Sequence, residues 1–230
     1  MKNFAFIFAR GGSKGLPGKN IKLLAGKPLL QYSIDTALNS PSIDKVFVST
    51  DDADIAKVAV NLGAILIERP PELATDTSPE WISWRHAVEW AEQHYGKFDG
   101  FVSLPATSPL RDIVDVEAAI YQLIKVNADI CISVTPASRS PYFNMIKKIN
   151  NGLVELVNKP TLDVTRRQDA PEVFDITTVV YATTPEFILN NYGLFSGNVT
   201  SIEVPKARAV DIDDIYDFKL AEAMLQVMHE

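Results

Sequence analysis

The stretch FIFARGGSKGLPGKN, residues 6–20, sets three cations, Arg10, Lys14 and Lys19, among five glycine or proline residues directly after a short apolar run. Gly11, Gly12, Gly15 and Gly18 let the backbone approach an anion closely and present its N–H groups. The cations supply charge, and Ser13 and Asn20 add neutral polar groups. Together these suit a triphosphate, which packs several negative charges into a small volume. The spacing matches neither the P-loop nor the G-x-G-x-x-G fingerprint, so composition by itself leaves a solvated mobile loop as the alternative. A second candidate is VDIDD, residues 210–214, ahead of the last predicted helix. Asp211 and Asp213 are two apart, so in extended chain they project to one side, where they can share a hard cation such as Mg²⁺. Aspartates in this position also cap orphan helix N–H groups, and Asp214 is the residue expected to act purely as a cap.

The elements that must position these residues alternate along the chain. Short β-rich runs are expected at Phe4–Ala9, Lys45–Ser49, Ile65–Ile67, Gly100–Leu104, Ile130–Val134, Thr178–Ala182 and Ser201–Val204. Helical periodicity is expected at Leu29–Leu38, Ala53–Leu62, Glu80–Tyr95, Val114–Val126 and Ile212–Met228. Apolar runs without alternation imply strands covered on both faces, hence an α/β fold with a mostly parallel, twisted sheet in a three-layer arrangement. In such sheets ligands bind beyond the carboxyl ends of the strands, where the loop from Arg10 to Asn20 must lie. The last helix carries Ile212, Ile215, Tyr216, Leu220, Ala223, Met224 and Val227 at helical spacing, which predicts a core stripe. Trp81, Trp84, Val88 and Tyr95 share one face of the third helix, which predicts packing rather than a stacking platform.

The α/β pattern breaks from about 136 to 175, where Pro, Asn, Gly and charged residues predominate and Asn150-Asn151-Gly152 predicts a hairpin turn. This segment reads as an arm inserted into a single domain spanning 1–230. A chain of 230 residues with 47% hydrophobic content can bury a sizeable core. Its formal charge of −7 opposes binding to nucleic acid or anionic membrane, but not to a small anion in a locally cationic cleft. No apolar run reaches the roughly 20 residues needed to span a bilayer. The lone Cys131 excludes a disulfide framework and favours a cytoplasmic setting. His86, His94 and His229 lack metal-ligand spacing.

The order of these motifs is more specific than their composition. ARGGSKGLPGKNIKLLAGKPLL, VFVSTDD, ERPPELATDTSP, PATSPLR, RRQDAP and VDIDDIYDFKLAE together resemble the cytidylyltransferases that activate nine-carbon acidic sugars. CMP-N-acetylneuraminate synthetases typify that family, and PASRSPYFN and RRQDAPEVFDITTVVYA are similar to CMP-legionaminic acid synthetases. The resemblance implies a Rossmann-like nucleotidyltransferase fold and transfer of CMP from CTP to the anomeric hydroxyl of a nonulosonic acid. It further implies Mg²⁺ as cofactor and a homodimer whose arm reaches the partner's active site. It assigns Arg10, Gly12, Ser13, Lys14, Asn20 and Arg69 to the nucleotide, and Lys19 and Asp211 to catalysis. Asp211 and Asp213 are implied as metal ligands, and Arg111, Arg167 and Gln168 as sugar contacts, with Arg111 alternatively holding its own loop. Pro105 stands where the sialic acid enzymes carry glutamine, and DITTVVYA replaces their sugar-side segment. Both departures fall on the sugar side, whereas the nucleotide loop is intact. A nucleotide-binding regulator without chemistry is the reading of another class; the retained aspartate pair opposes it.

Overall fold

The structure, a computed structural model, describes residues 1–159 and 166–228, with residue 228 described by its backbone alone. Chain order begins with β1 (Asn3–Phe8), the two-residue strands β2 (Leu23–Leu24) and β3 (Lys27–Pro28), and α1 (Leu29–Asn39). It continues through β4 (Lys45–Thr50), α2 (Ala53–Asn61), β5 (Ile65–Glu68), α3 (Glu80–Tyr95), β6 (Gly100–Ser103), α4 (Ile113–Lys125) and β7 (Ile130–Pro136). After β7 come β8 (Ile146–Lys148), β9 (Val154–Leu156), β10 (Phe174–Thr183), α5 (Pro185–Asn190), β11 (Val199–Glu203) and α6 (Ile215–Met228).

Seven strands form one sheet in the order β11-β7-β10-β6-β1-β4-β5. All pairings are parallel except those of β10, which is antiparallel to both β6 and β7. The reason is topological. β7 delivers the chain to the carboxyl edge, the arm leaves and returns there, and β10 must run back. Alternating side chains of β1 divide the interior. Ala5 and Ile7 face a layer built from α1, α2 and α4. Phe4 and Phe6 face α3 and α5, together with Phe47, Trp81, Trp84 and Phe101. The tryptophans are thus core, as their helical spacing predicts. Cys131 is fully buried, and desolvation pushes its thiol up to about 12, so it is an inert packing residue.

The last helix departs from expectation. Ile212 is fully buried, but it precedes α6, and Tyr216, Leu220 and Val227 point outward at 78%, 51% and 72% exposure. The buried stripe is instead Phe218, Ala221 and Leu225, packed with Leu16, Leu24, Leu29 and Leu110. α6 is apolar on two faces with the same three-and-four spacing, and periodicity cannot choose between them. Packing against the first loop does.

The arm hairpin pairs Lys147 with Glu155 across a turn at Asn150–Gly152, in which Asn151 and Gly152 adopt positive φ of 65° and 74°. Its base is pinned by the pairing of Phe174 with Pro136. His229 lies outside the described residues.

Candidate active site

The chain leaves β1 and steps outward to β4 and β5, then returns to β6 on the other side of β1. This reversal makes a switch point, and the crevice above it is where an open α/β sheet binds its ligand. Loops after β1, β4, β5, β6 and β11 converge on that edge.

The loop after β1 is held from below. Asn20 is buried and its Nδ2 donates to the Arg10 carbonyl at 3.0 Å, closing the loop on itself. The backbone N–H of Gly11 donates to Asp51 Oδ1 at 3.1 Å. Gly18 takes φ 65°, a left-handed conformation that glycine adopts without cost. Arg10 Nη1 donates to Asp76 Oδ1 at 2.7 Å, and Lys14 Nζ pairs with the other oxygen of the same carboxylate. Those hydrogen bonds, from Lys14 first and Arg10 second, hold the Asp76 carboxyl below its usual range. Gly12 is exposed at the crest of the loop and Ser13 beside it is half-buried, its N–H donating to the Gly11 carbonyl at 3.0 Å. The sequence left Asp76 without a role; here it is the counter-ion shared by two cations of the loop.

Lys19 crosses the greatest distance in sequence. Its side chain is only 11% exposed, and Nζ donates to the Ile212 carbonyl at 2.5 Å, with Asp213 Oδ1 at 3.8 Å. Gly15 lies so near the Asp213 carbonyl that a Cβ there would collide with backbone. The cationic loop and the aspartate segment are therefore in direct contact, through two residues predicted from opposite ends of the chain. Ile212 N–H donates to Thr107 O at 2.9 Å, which ties this segment to the loop after β6 as well.

The aspartate segment is anchored further back by Arg208. Its guanidinium donates twice to Asp115, at 2.9 and 2.8 Å, and Asp115 is 3% exposed. Asp115 also accepts from the Asp112 N–H at 3.0 Å, completing the capping box of α4. Sequence reasoning missed this clamp because its partners lie 93 residues apart.

Asp211 borders a cavity of about 590 Å³ shared with Thr135, Ile176, Thr177, Asp217 and Leu220. Its Oδ1 is buried without a hydrogen-bond partner. An orphaned carboxylate oxygen of this kind fits a hard cation, as does a site with few protein oxygens, since Mg²⁺ is commonly held by one or two carboxylates plus substrate phosphates. Among the described residues no cluster of three or more His, Cys, Asp or Glu side chains forms a complete metal cage. Asp213, 82% exposed, lies with Oδ1 3.8 Å from Lys19 Nζ. Asp214 caps α6: its Oδ1 accepts from the N–H groups of Tyr216 at 2.7 Å and Asp217 at 3.1 Å.

Arg69 is 8% exposed. It donates from Nε to Ser49 Oγ at 3.1 Å and from Nη2 to Ser49 O at 2.7 Å, and stacks on Phe8 at 5.5 Å. Burial lowers its pKa, opposed by Asp51 and Glu80. With Phe8, Arg10, Asp76, Glu80 and Ser83 it lines a cleft of about 270 Å³. Tyr181 adjoins this region; burial, then the charges of Glu80 and Asp211, push its phenol up to about 12.

Arg111 does not face the cleft. It is 6% exposed and donates to Val179 O, to Ser33 Oγ at 2.8 Å and to Pro105 O at 2.6 Å, with Thr178 O at 3.5 Å. Of its two expected roles, the holding of loops is the one this geometry fits, because the guanidinium is already committed to three elements. Arg167 and Gln168 are exposed at the arm base, where Arg167 donates to Ala137 O at 3.0 Å beside Arg139. Neither lines the cavity that Asp211 borders.

A family model described as "Cytidylyltransferase" matches residues 4–221. The chain is 33% identical over 222 residues to the post-translational flagellin modification protein B of Campylobacter coli, covering 96% of this chain and 93% of that protein. It is 32% identical to the CMP-N,N'-diacetyllegionaminic acid synthase of Campylobacter jejuni, over 96% and 94% of the two chains. It is 31% identical to the pseudaminic acid cytidylyltransferase of the same species, over 100% and 99%. Among solved structures, the CMP:2-keto-3-deoxy-manno-octonic acid synthetase complexed with CTP superposes with a TM-score of 0.75 at 18% identity, over 99% of this chain and 100% of that one. That likeness establishes the Rossmann-like nucleotidyltransferase fold.

Proposed function

Because this chain belongs to the cytidylyltransferase family, we propose that it transfers CMP from CTP to the anomeric hydroxyl of a nonulosonic acid, releasing pyrophosphate. The observation that carries the proposal is the contact between Lys19 and the Ile212 carbonyl, which sets a cationic, glycine-lined loop against the Asp211–Asp213 segment. Nucleotidyl transfer needs charge neutralisation on the leaving group, a bridging cation and an in-line hydroxyl. Arg10, Lys14 and Lys19 neutralise the phosphates, and the Gly12 N–H and the Ser13 hydroxyl complete the cradle. Asp211 and Asp213 would hold Mg²⁺, which supplies Lewis-acid charge stabilisation on the phosphate oxygens when bound. Asp211 also borders the cavity into which the sugar's hydroxyl would enter.

Several observations favour a legionaminic or pseudaminic type of sugar over N-acetylneuraminate. The relatives named for the first two match at 31–32% identity over 94–99% of their own length. An N-acylneuraminate cytidylyltransferase from Streptococcus agalactiae matches at 28% over 52% of its length. Pro105 has no side-chain amide to offer a sugar, and its carbonyl is taken by Arg111 and Ser33. A homodimer is supported by the apolar surface on the arm and α6. Ile146, Leu153, Val154, Tyr216 and Val227 are all at least 53% exposed, and Arg167 and Gln168 would then serve the partner's site. No helix among the described residues is long and apolar enough to cross a membrane. We place the enzyme in the cytoplasm, beside its CTP supply.

The test is pyrophosphate release from CTP and Mg²⁺ across N-acetylneuraminate, legionaminate, pseudaminate and the eight-carbon acid of the solved relative. Turnover with one of the nine-carbon acids, reduced about 100-fold or more in Asp211→Ala and Lys19→Ala, is expected. Silence across the panel with intact CTP binding would support the regulator instead.

A further inference from the structure

We infer that Glu80 reads the exocyclic amino group of the cytosine ring and so sets the preference for CTP over UTP; this rests on the nucleotide reading above. The cleft of about 270 Å³ is lined by Arg10, Phe8, Arg69 and Glu80 among others. One cleft therefore carries both a donor, Arg69, and an acceptor, Glu80. Arg69 spends Nε and Nη2 on Ser49, which fixes the plane of the guanidinium. Glu80 Oε1 accepts from Trp84 Nε1 at 3.3 Å, which fixes the carboxylate. Among the described residues no cation lies within salt-bridge distance of Glu80. Glu80 is exposed as a residue, yet the protein around its carboxylate partly desolvates it and raises its pKa.

A carboxylate held by Trp84 on the wall of the cleft, without a cation, is well satisfied by an uncharged N–H₂ donor. Cytosine offers that donor at N4, next to acceptors at N3 and O2 that suit an arginine. Uracil reverses the pattern, with an acceptor at O4 and a donor at N3, so its O4 would face carboxylate oxygens. Carboxylate acceptance from the cytosine amine is an established base-edge pairing, and such pairs discriminate bases by roughly 10- to 100-fold. A purely structural role is the competing account, since an acidic residue in the first turn of a helix interacts well with its dipole.

Calorimetric titration of CTP and of UTP with Mg²⁺ into wild type, Glu80→Gln and Glu80→Ala separates the two. Wild type should bind CTP more tightly by about tenfold or more. Glu80→Gln, whose amide can turn to donate to O4, should bring the two affinities to within about threefold, and Glu80→Ala should weaken CTP by about tenfold without gain for UTP. An unchanged CTP-to-UTP ratio in folded Glu80→Gln overturns the inference and leaves the cytidylyltransferase reading standing. Equal binding of both nucleotides by wild type does the same. Failure of wild type to bind either nucleotide, with Arg10→Ala equally inert, would remove the site itself and both readings with it.

Discussion

Arg111→Met gives the sharpest separation between a binding residue and a scaffold residue. Methionine keeps most of the length of the apolar stem but removes every donor. The wild-type guanidinium bridges Ser33 on α1, Pro105 in the loop after β6, and Val179 in β10, from a position 6% exposed. Each hydrogen bond from a charged donor contributes about 1.5–3 kcal/mol. Three of them amount to about 4–9 kcal/mol gross, from which the desolvation cost of the guanidinium must be subtracted. That cost is evident in its pKa, which burial lowers to about 9 while leaving the group charged at neutral pH. A net loss of about 3 kcal/mol is expected, a large share of the roughly 5–15 kcal/mol typical of a domain. Urea unfolding followed by circular dichroism measures it, and the sugar-acid KM of the remaining folded enzyme should stay within about threefold of wild type. A variant as stable as wild type with a KM raised tenfold or more would show that Arg111 meets the substrate and that the loop-holding assignment is wrong.

Three further outcomes follow from particular contacts. Gly15→Ala forces a methyl into the Asp213 carbonyl, so the loop and the aspartate segment must separate. CTP affinity should fall about tenfold or more while the thermal midpoint moves by a few degrees at most, and an unchanged Kd would argue against a shared site. Asp115→Ala strands the Arg208 guanidinium and breaks the capping box of α4. With Arg208 partly solvated, a loss of about 2–3 kcal/mol is expected, together with a raised Mg²⁺ requirement as the segment bearing Asp211 loosens. A stable variant with unaltered Mg²⁺ dependence would sever that link. The third concerns pH. Burial raises the folded-state pKa of Glu80 above its unfolded value. The associated stabilisation is therefore present below the unfolded carboxyl range, near pH 4, and is lost as pH rises through the folded pKa. Glu80→Gln removes that loss, so its melting temperature should exceed that of wild type at pH 7.5 and not at pH 4; the reverse order would contradict the shift.

The order of strands and helices was legible along the chain because apolar runs and helical periods are local signals, and the α/β class follows from their alternation. The glycine-rich cationic loop after β1 was equally legible. Its glycines, cations and Asn20 lie within eleven residues, and a backbone that must fold tightly around an anion leaves few alternatives in residue type. Which aspartates oppose that loop also emerged from sequence, by resemblance, but their contact did not. Lys19 meets the Ile212 carbonyl only because β1 lies centrally in the sheet and the chain returns over its carboxyl edge after β11. Tertiary structure alone decided three other matters. It turned the expected core stripe of α6 outward, since two apolar faces compete and packing selects one. It committed Arg111 to carbonyls of two elements and a hydroxyl of a third, since a guanidinium reaches whatever acceptors the fold brings near it. It placed Glu80 in the cleft beside Arg69, although in sequence it is an ordinary acid in the first turn of a helix. Local chemistry can be written in consecutive residues, but the partner of a long side chain is chosen by the path of the backbone through space.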